Sequence, residues 1–221
     1  MSPELVRLVF DATLETLYMV AAAGLLGTLF GLPLGVFLAT SGRGELFAAP
    51  LVNRVLGTIV NAARSTPFII LVVAIIPFTR LLAGTSIGTT AAIVPLTVAA
   101  TPFIARIVEA AIREVDHGLV EAAKAMGATP LQIVHKVLLP EALPGLTLGL
   151  TLTVVSLIGH SAMVGAVGGG GLGDLGIRFG YQRFMPDVML VVVVVLIVLV
   201  QAVQSAGEAL ARRADRRVRR G

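Results

Sequence analysis

Apolar and polar positions fall in long blocks along this chain rather than in short amphipathic periods. Uncharged stretches near the ~20 residues that a membrane-crossing helix needs run from Thr16 to Gly42, from about Val55 to Thr79 with Arg64 as the one interruption, and from Leu81 to Ala105. The third continues as helix to about Arg113. A charged segment, Glu109 to Glu141, separates these from a fourth uncharged stretch, Ala142 to Gly173, whose far end is rich in glycine. The fifth, Val188 to Gly207, includes Met189–Val200 with no polar residue. The pattern predicts an all-α integral membrane protein of five transmembrane helices, a single domain over residues 1–221. The first span is not read as a cleavable signal peptide, because it is too long and Asp11 and Glu15 stand where a basic flank belongs.

Composition supports lipid as the solvent. Hydrophobic residues make up 56% of the 221-residue chain and charged residues 14%, against about 25% charge in a soluble domain; mean hydropathy is +0.94. These values exclude a soluble enzyme, a secreted disulfide scaffold and a disordered chain. No cysteine is present, which removes disulfides and thiolate metal sites.

Five spans put the two termini on opposite sides, and basic residues decide which side is which. Arg43, Arg54, Arg113, Lys124, Lys136 and six arginines of the tail at 211–221 gather on one side. Arg7, Arg80, Arg178 and Arg183 gather on the other. With Arg64 and Arg106 set aside as intramembrane, the bias predicts an external amino terminus, a cytoplasmic basic tail and a cytoplasmic loop at 114–140 between spans three and four.

Within that loop, Gly118–Gly127 reads as a short helix with Leu119, Ala122, Ala123 and Met126 on one narrow face and Gly127 as a left-handed cap. Thr129-Pro-Leu-Gln132 is a capping box with proline at the first helical position. It opens a second helix to about Leu138, with Leu131, Val134 and Leu138 on one face. Pro140 and Pro144 are expected to mark re-entry into the membrane. The small apolar ridge suits either a groove on another protein or the chain's own underside.

Glu121-Ala122-Ala123, then Gly127, Val137 and Leu139-Pro140 at their spacing, resemble the EAA loop of bacterial ABC importer permeases, with valine in place of the usual isoleucine. Arg64–Leu71, Ile76–Thr79, Gly84–Gly88, Ala92–Thr97, Met126–Gly145 and Ser161–Met163 resemble the methionine importer permeases in particular, so that the likeness covers about residues 14 to 207. The resemblance implies a type I importer permease fold that assembles as a homodimer with two cytoplasmic ABC ATPase subunits and an extracytoplasmic substrate-binding lipoprotein. It implies a coupling surface at Glu121, Ala122, Ala123, Met126 and Gly127. It implies no catalytic site in this chain, ATP and Mg being bound by the partner ATPase, and a path for D- or L-methionine. His160, Ser161 and Met163 line that path or its gate, or pack as polar groups at the dimer seam.

Other constellations carry less. Glycines 168–171, 173 and 176 satisfy G-x-G-x-x-G but lack a preceding strand, and suit a flexible external gating or docking loop. There Asp174, Arg178 and Arg183 meet the binding protein or solvent. Arg64 is expected to pair with Glu109 across two helices, with binding of a substrate carboxylate as the alternative. His117, His135 and His160 lack metal-ligand spacing. Gly24, Gly27, Gly31 and Gly35 suit close helix packing. A DNA-reading helix–turn–helix lacks the basic stripe, and an intramembrane enzyme lacks its paired catalytic groups. A permease for another amino acid or small solute, or a secondary transporter, is the alternative function; a repeated half, expected of the latter, is not seen.

Overall fold

The computed structural model describes residues 3–214. Helix α1 (Pro3–Thr40) is followed by α2 (Pro50–Ser65), α3 (Phe68–Ala74), α4 (Ile76–Ala83) and α5 (Thr89–Arg113). Then come α6 (His117–Ala125), α7 (Pro130–Ile133), α8 (Leu139–Gly165), α9 (Gly171–Leu175) and α10 (Pro186–Ala214). At 1.5 Å per residue the 38-residue α1 is about 57 Å long, well beyond a hydrocarbon core of about 30 Å.

The glycine stripe sets the central packing. Gly27 lies against Ala100, Gly31 against Ile104 and Gly35 against Val108. A Cβ on Gly31 would come within 2.8 Å of the Thr101 carbonyl oxygen, so only glycine admits this approach. Gly24 instead faces Leu157 on α8 at ordinary contact distance. Because the paired positions rise together, α1 and α5 are parallel, and the chain between them must return to its starting end. Residues 50–88 make that return as a broken path. Alpha2 and α3 meet at 103°, since Pro67 forces Thr66 into an extended conformation (φ −79°, ψ 124°) and removes a helical donor. The expected second span is therefore not one helix. The third begins at Thr89 rather than Leu81, because Gly84 ends the preceding helix in a left-handed cap and Gly88, also at positive φ, is the N-cap of α5.

Gly145 and Gly149 of α8 face Ala111 and Ile107 of α5, which makes this pair antiparallel. Alpha10 runs back along α8, its Gly207 against Thr151 and its Val188 and Val192 clustered with Val9, Ala12, Leu172 and Leu175. The described ends of α1 and α10 thus lie at opposite ends of the bundle, as five crossings require. Leu190, Val193, Ile197 and Val198 remain exposed on α10, an apolar face that water would not solvate. Arg212 pairs with Glu208 at 3.7 Å; Arg216, Arg217, Arg219 and Arg220 of the basic tail lie outside the described residues.

Candidate coupling site and intramembrane cavity

The loop between α5 and α8 forms a rigid pair of short helices. The Asp116 carboxylate accepts the Gly118 N–H at 2.6 Å and caps α6. At its other end Gly127 takes φ +78°, its N–H donating to Lys124 O at 2.9 Å while the Ala128 N–H donates to Ala123 O at 3.0 Å. These two bonds are a Schellman motif. The capping box follows directly: the Thr129 N–H donates to Gln132 Oε1 at 2.9 Å and the Gln132 N–H to Thr129 Oγ1 at 3.4 Å.

The single apolar face expected on α6 is divided. Ala123 is 4% exposed and joins the core with Ile112, Val115, Ile133, Val134 and Leu138. Glu121, Ala122 and Leu119 point outward, and Met126 is 82% exposed. Ala123 thus props the helix from beneath instead of sharing its outer surface. From α7 into the following π turn at Val134–Leu138 the inward side is Ile133, Val134 and Leu138, while Leu131 in the first turn is 61% exposed. Nor does the helix stop at Pro140 and Pro144. It runs unbroken from Pro130 to Gly165, so the loop's second helix and the fourth span are one rod.

The same end is braced by a buried carboxylate. Glu109, 6% exposed, forms ion pairs with Arg106 and, at 2.8 Å, with Arg113. The Arg106 guanidinium also donates to Gly57 O at 2.7 Å, which ties α5 to α2. The expected Arg64–Glu109 pair does not form: Glu109 finds its cations on its own helix, one turn to either side.

Arg64 instead stands at the end of α2, its guanidinium 5.5 Å from the centre of the Phe103 ring. It lines a partly open cavity of about 240 Å³ together with Thr66, Phe68, Phe103, Thr153, Ser156 and His160. The His160 ring stacks on Phe68, centroids 4.3 Å apart. Ser161 turns away into the core, 2% exposed, with its hydroxyl donating to Ile158 O at 2.7 Å. Met163, one turn beyond His160, is exposed and is not on the cavity wall. Of the three expected path residues, then, only His160 reaches the cavity. Sequence reasoning did not single out Thr153 and Ser156, which lie at i, i+3 and i+7 with His160 but share the span with Thr147, Thr151 and Ser161. Among the described residues no His, Asp or Glu side chains converge into a group that could hold a metal ion.

At the opposite end the glycine-rich loop is closely packed. The Gly171 N–H donates to the Glu15 carboxylate at 2.7 Å and the Leu172 N–H to Thr16 Oγ1 at 2.9 Å, while the Gly88 N–H reaches Gly168 O at 2.9 Å. Gly165, Gly169 and Gly173 have no room for a Cβ. Asp174 pairs with Arg178 at 2.8 Å, and Arg178 and Arg183 lie over the Phe179 ring.

The profile of binding-protein-dependent transport system inner membrane components matches residues 31–220. The chain belongs to that family. It is 58% identical over 95% of its length to the probable D-methionine transport system permease protein MetI of Vibrio cholerae serotype O1, covering 93% of that protein. It is 50% identical to the protein of the same description from Pasteurella multocida, over 98% of this chain and all of that one. Among solved structures, it superposes on a chain of the MetNI methionine ABC transporter in an inward-facing conformation with a TM-score of 0.96. That match has 51% identity and covers 98% of this chain and 100% of the other. An all-helical inner-membrane permease component of the type I importer fold is the architecture these residues build.

Proposed function

We propose that this chain is the membrane-spanning permease subunit of an ATP-driven methionine importer. It works as a pair with a second copy of itself, and two ABC ATPase subunits dock on the end that carries α6 and α7. Those subunits hold ATP and Mg; this chain supplies the path. An extracytoplasmic binding lipoprotein delivers substrate at the glycine-loop end. The amino terminus then faces outward and α10 ends in the cytoplasm, in agreement with the arginine and lysine bias.

The observation that carries this reading is the construction of the α6–α7 pair. Glu121, Ala122 and Met126 face outward on a helix capped at both ends, while Ala123 beneath them is packed into the core. A partner that grips that surface moves α7, and α7 is continuous with α8, the helix that presents His160 to the cavity. ATP binding favours one orientation of this rod only through its different affinity for the two states. High identity to permeases described for D-methionine supports the substrate, and the absence of a repeated half argues against a secondary transporter.

Proteoliposomes holding permease, ATPase and binding protein test the proposal. Uptake of labelled methionine that requires ATP on the ATPase side is expected. Uptake without ATP, or ATP-driven uptake of a different solute only, overturns it.

A further inference from the structure

We propose that the cavity between α2, α3, α5 and α8 is a transit site for the amino acid itself, in which Arg64 takes the substrate's α-carboxylate. The inference rests on the methionine reading above.

Three observations converge. First, Arg64, exposed in the single subunit, is a cation without an anion: among the described residues it forms no ion pair with a carboxylate, and its guanidinium lies by the Phe103 ring. An arginine held over an aromatic face uses its π surface there, and its in-plane N–H fork stays available for bidentate pairing with a carboxylate. A charge in this setting is costly unless it has a task or a partner. Second, the polar groups are few and sorted. Thr153 donates its hydroxyl hydrogen to Gly149 O at 2.9 Å, which leaves its oxygen as an acceptor, and Ser156 stands one turn further along on the same wall. Thr153 is 2% exposed, so the half-buried Ser156 hydroxyl is the oxygen that suits an ammonium group. Third, the remaining wall is aromatic and aliphatic: Phe68, fixed by its stack on His160, with Phe103 and Leu71. A thioether side chain packs favourably against aromatic rings.

Size agrees with chemistry. The volume of about 240 Å³ lies just under the ~300–1,000 Å³ of sites for drug-sized ligands, which fits a single amino acid. The 103° bend between α2 and α3 matters as well, because it brings Arg64 at the end of one helix and Phe68 at the start of the next onto the same cavity.

The test is equilibrium binding of labelled L-methionine and of L-methioninol, which lacks the carboxylate, to the purified permease–ATPase complex without its binding protein. The wild type is expected to bind methionine saturably and to prefer it about tenfold or more, the value of a hydrogen-bonded charge pair. Arg64→Gln should abolish that preference by weakening methionine alone, and Arg64→Lys should restore it in part. Ser156→Leu, which fills the cavity, should weaken both ligands and keeps the test open if Arg64→Gln does not assemble; size exclusion checks assembly. No saturable methionine binding by the wild type, an unchanged preference in Arg64→Gln, or full binding by Ser156→Leu overturns the inference. Parallel uptake assays separate the two readings. If the wild type imports methionine with ATP, such a result removes the transit site alone; if it does not, the substrate assignment falls first and the site with it.

Discussion

Arg106 hydrogen-bonds the carbonyl of Gly57 at 2.7 Å, and this contact ties the C-terminal part of α5 to the middle of α2. Its charge is balanced by Glu109, which is almost fully buried and also holds Arg113. Removing the carboxylate leaves a largely buried guanidinium unpaired, so Glu109→Ala is expected to destabilise the subunit by about 3 kcal/mol. A lower melting temperature of the purified complex checks this, with Glu109→Asp expected to lie between the two.

Gly127 offers a cleaner separation of backbone from contact. Its φ of +78° is left-handed, yet a Cβ there would meet nothing within 4 Å. Any loss in Gly127→Val is therefore conformational, about 1–2 kcal/mol, spent on opening the α6 cap. Gly127→Asn should be milder, because asparagine tolerates this region. We expect ATP hydrolysis to persist while the methionine moved per ATP falls in the order Gly127, Asn, Val, measured in proteoliposomes.

Ala122 and Ala123 are neighbours with opposite fates. Ala123→Trp forces a large ring into packed core and should cost about 1–3 kcal/mol or more, reducing the amount of assembled permease in the membrane. Ala122→Trp sits outside, so the subunit should accumulate normally but fail to retain its ATPase. Immunoblots of membranes, paired with co-purification of the ATPase, distinguish the two defects.

Close packing of α1 on α5 predicts a third kind of failure. Gly31→Val would push against the Thr101 carbonyl and Ile104 and separate the two helices. Its effect should appear as a lower melting temperature, whereas the same change at Gly24, which meets only the tip of Leu157, should be much weaker.

The four long helices were legible because each carries an unbroken apolar block near or above the length of a crossing, and the two caps of the loop were legible because Gly127 and Thr129-Pro130-x-Gln132 have few other structural meanings. What escaped was three-dimensional. Pro67 announced a break, but hydropathy averaged across it, so α2 and α3 looked like one span. Arg64 and Glu109 were matched by charge, whereas the helix had already supplied Glu109 with Arg106 and Arg113 at i−3 and i+4. The glycine loop signalled freedom of the backbone; its glycines are in fact demanded by close contacts with Val164, Ala162 and Thr16, which no spacing rule reveals. Thr153 and Ser156 fall in line with His160 among other polar positions of the span, and their common cavity depends on α3 folding back toward α8.

The account depends most on the α6–α7 pair lying on the cytoplasmic side, where an ATPase can grip it. Since the chain has no cysteine, Met126→Cys supplies a single thiol at an exposed position of that pair. In cells that make the permease without its ATPase, a membrane-impermeant maleimide should leave that thiol unmodified while the cells are intact and label it once the inner membrane is permeabilised; labelling in intact cells would contradict the account.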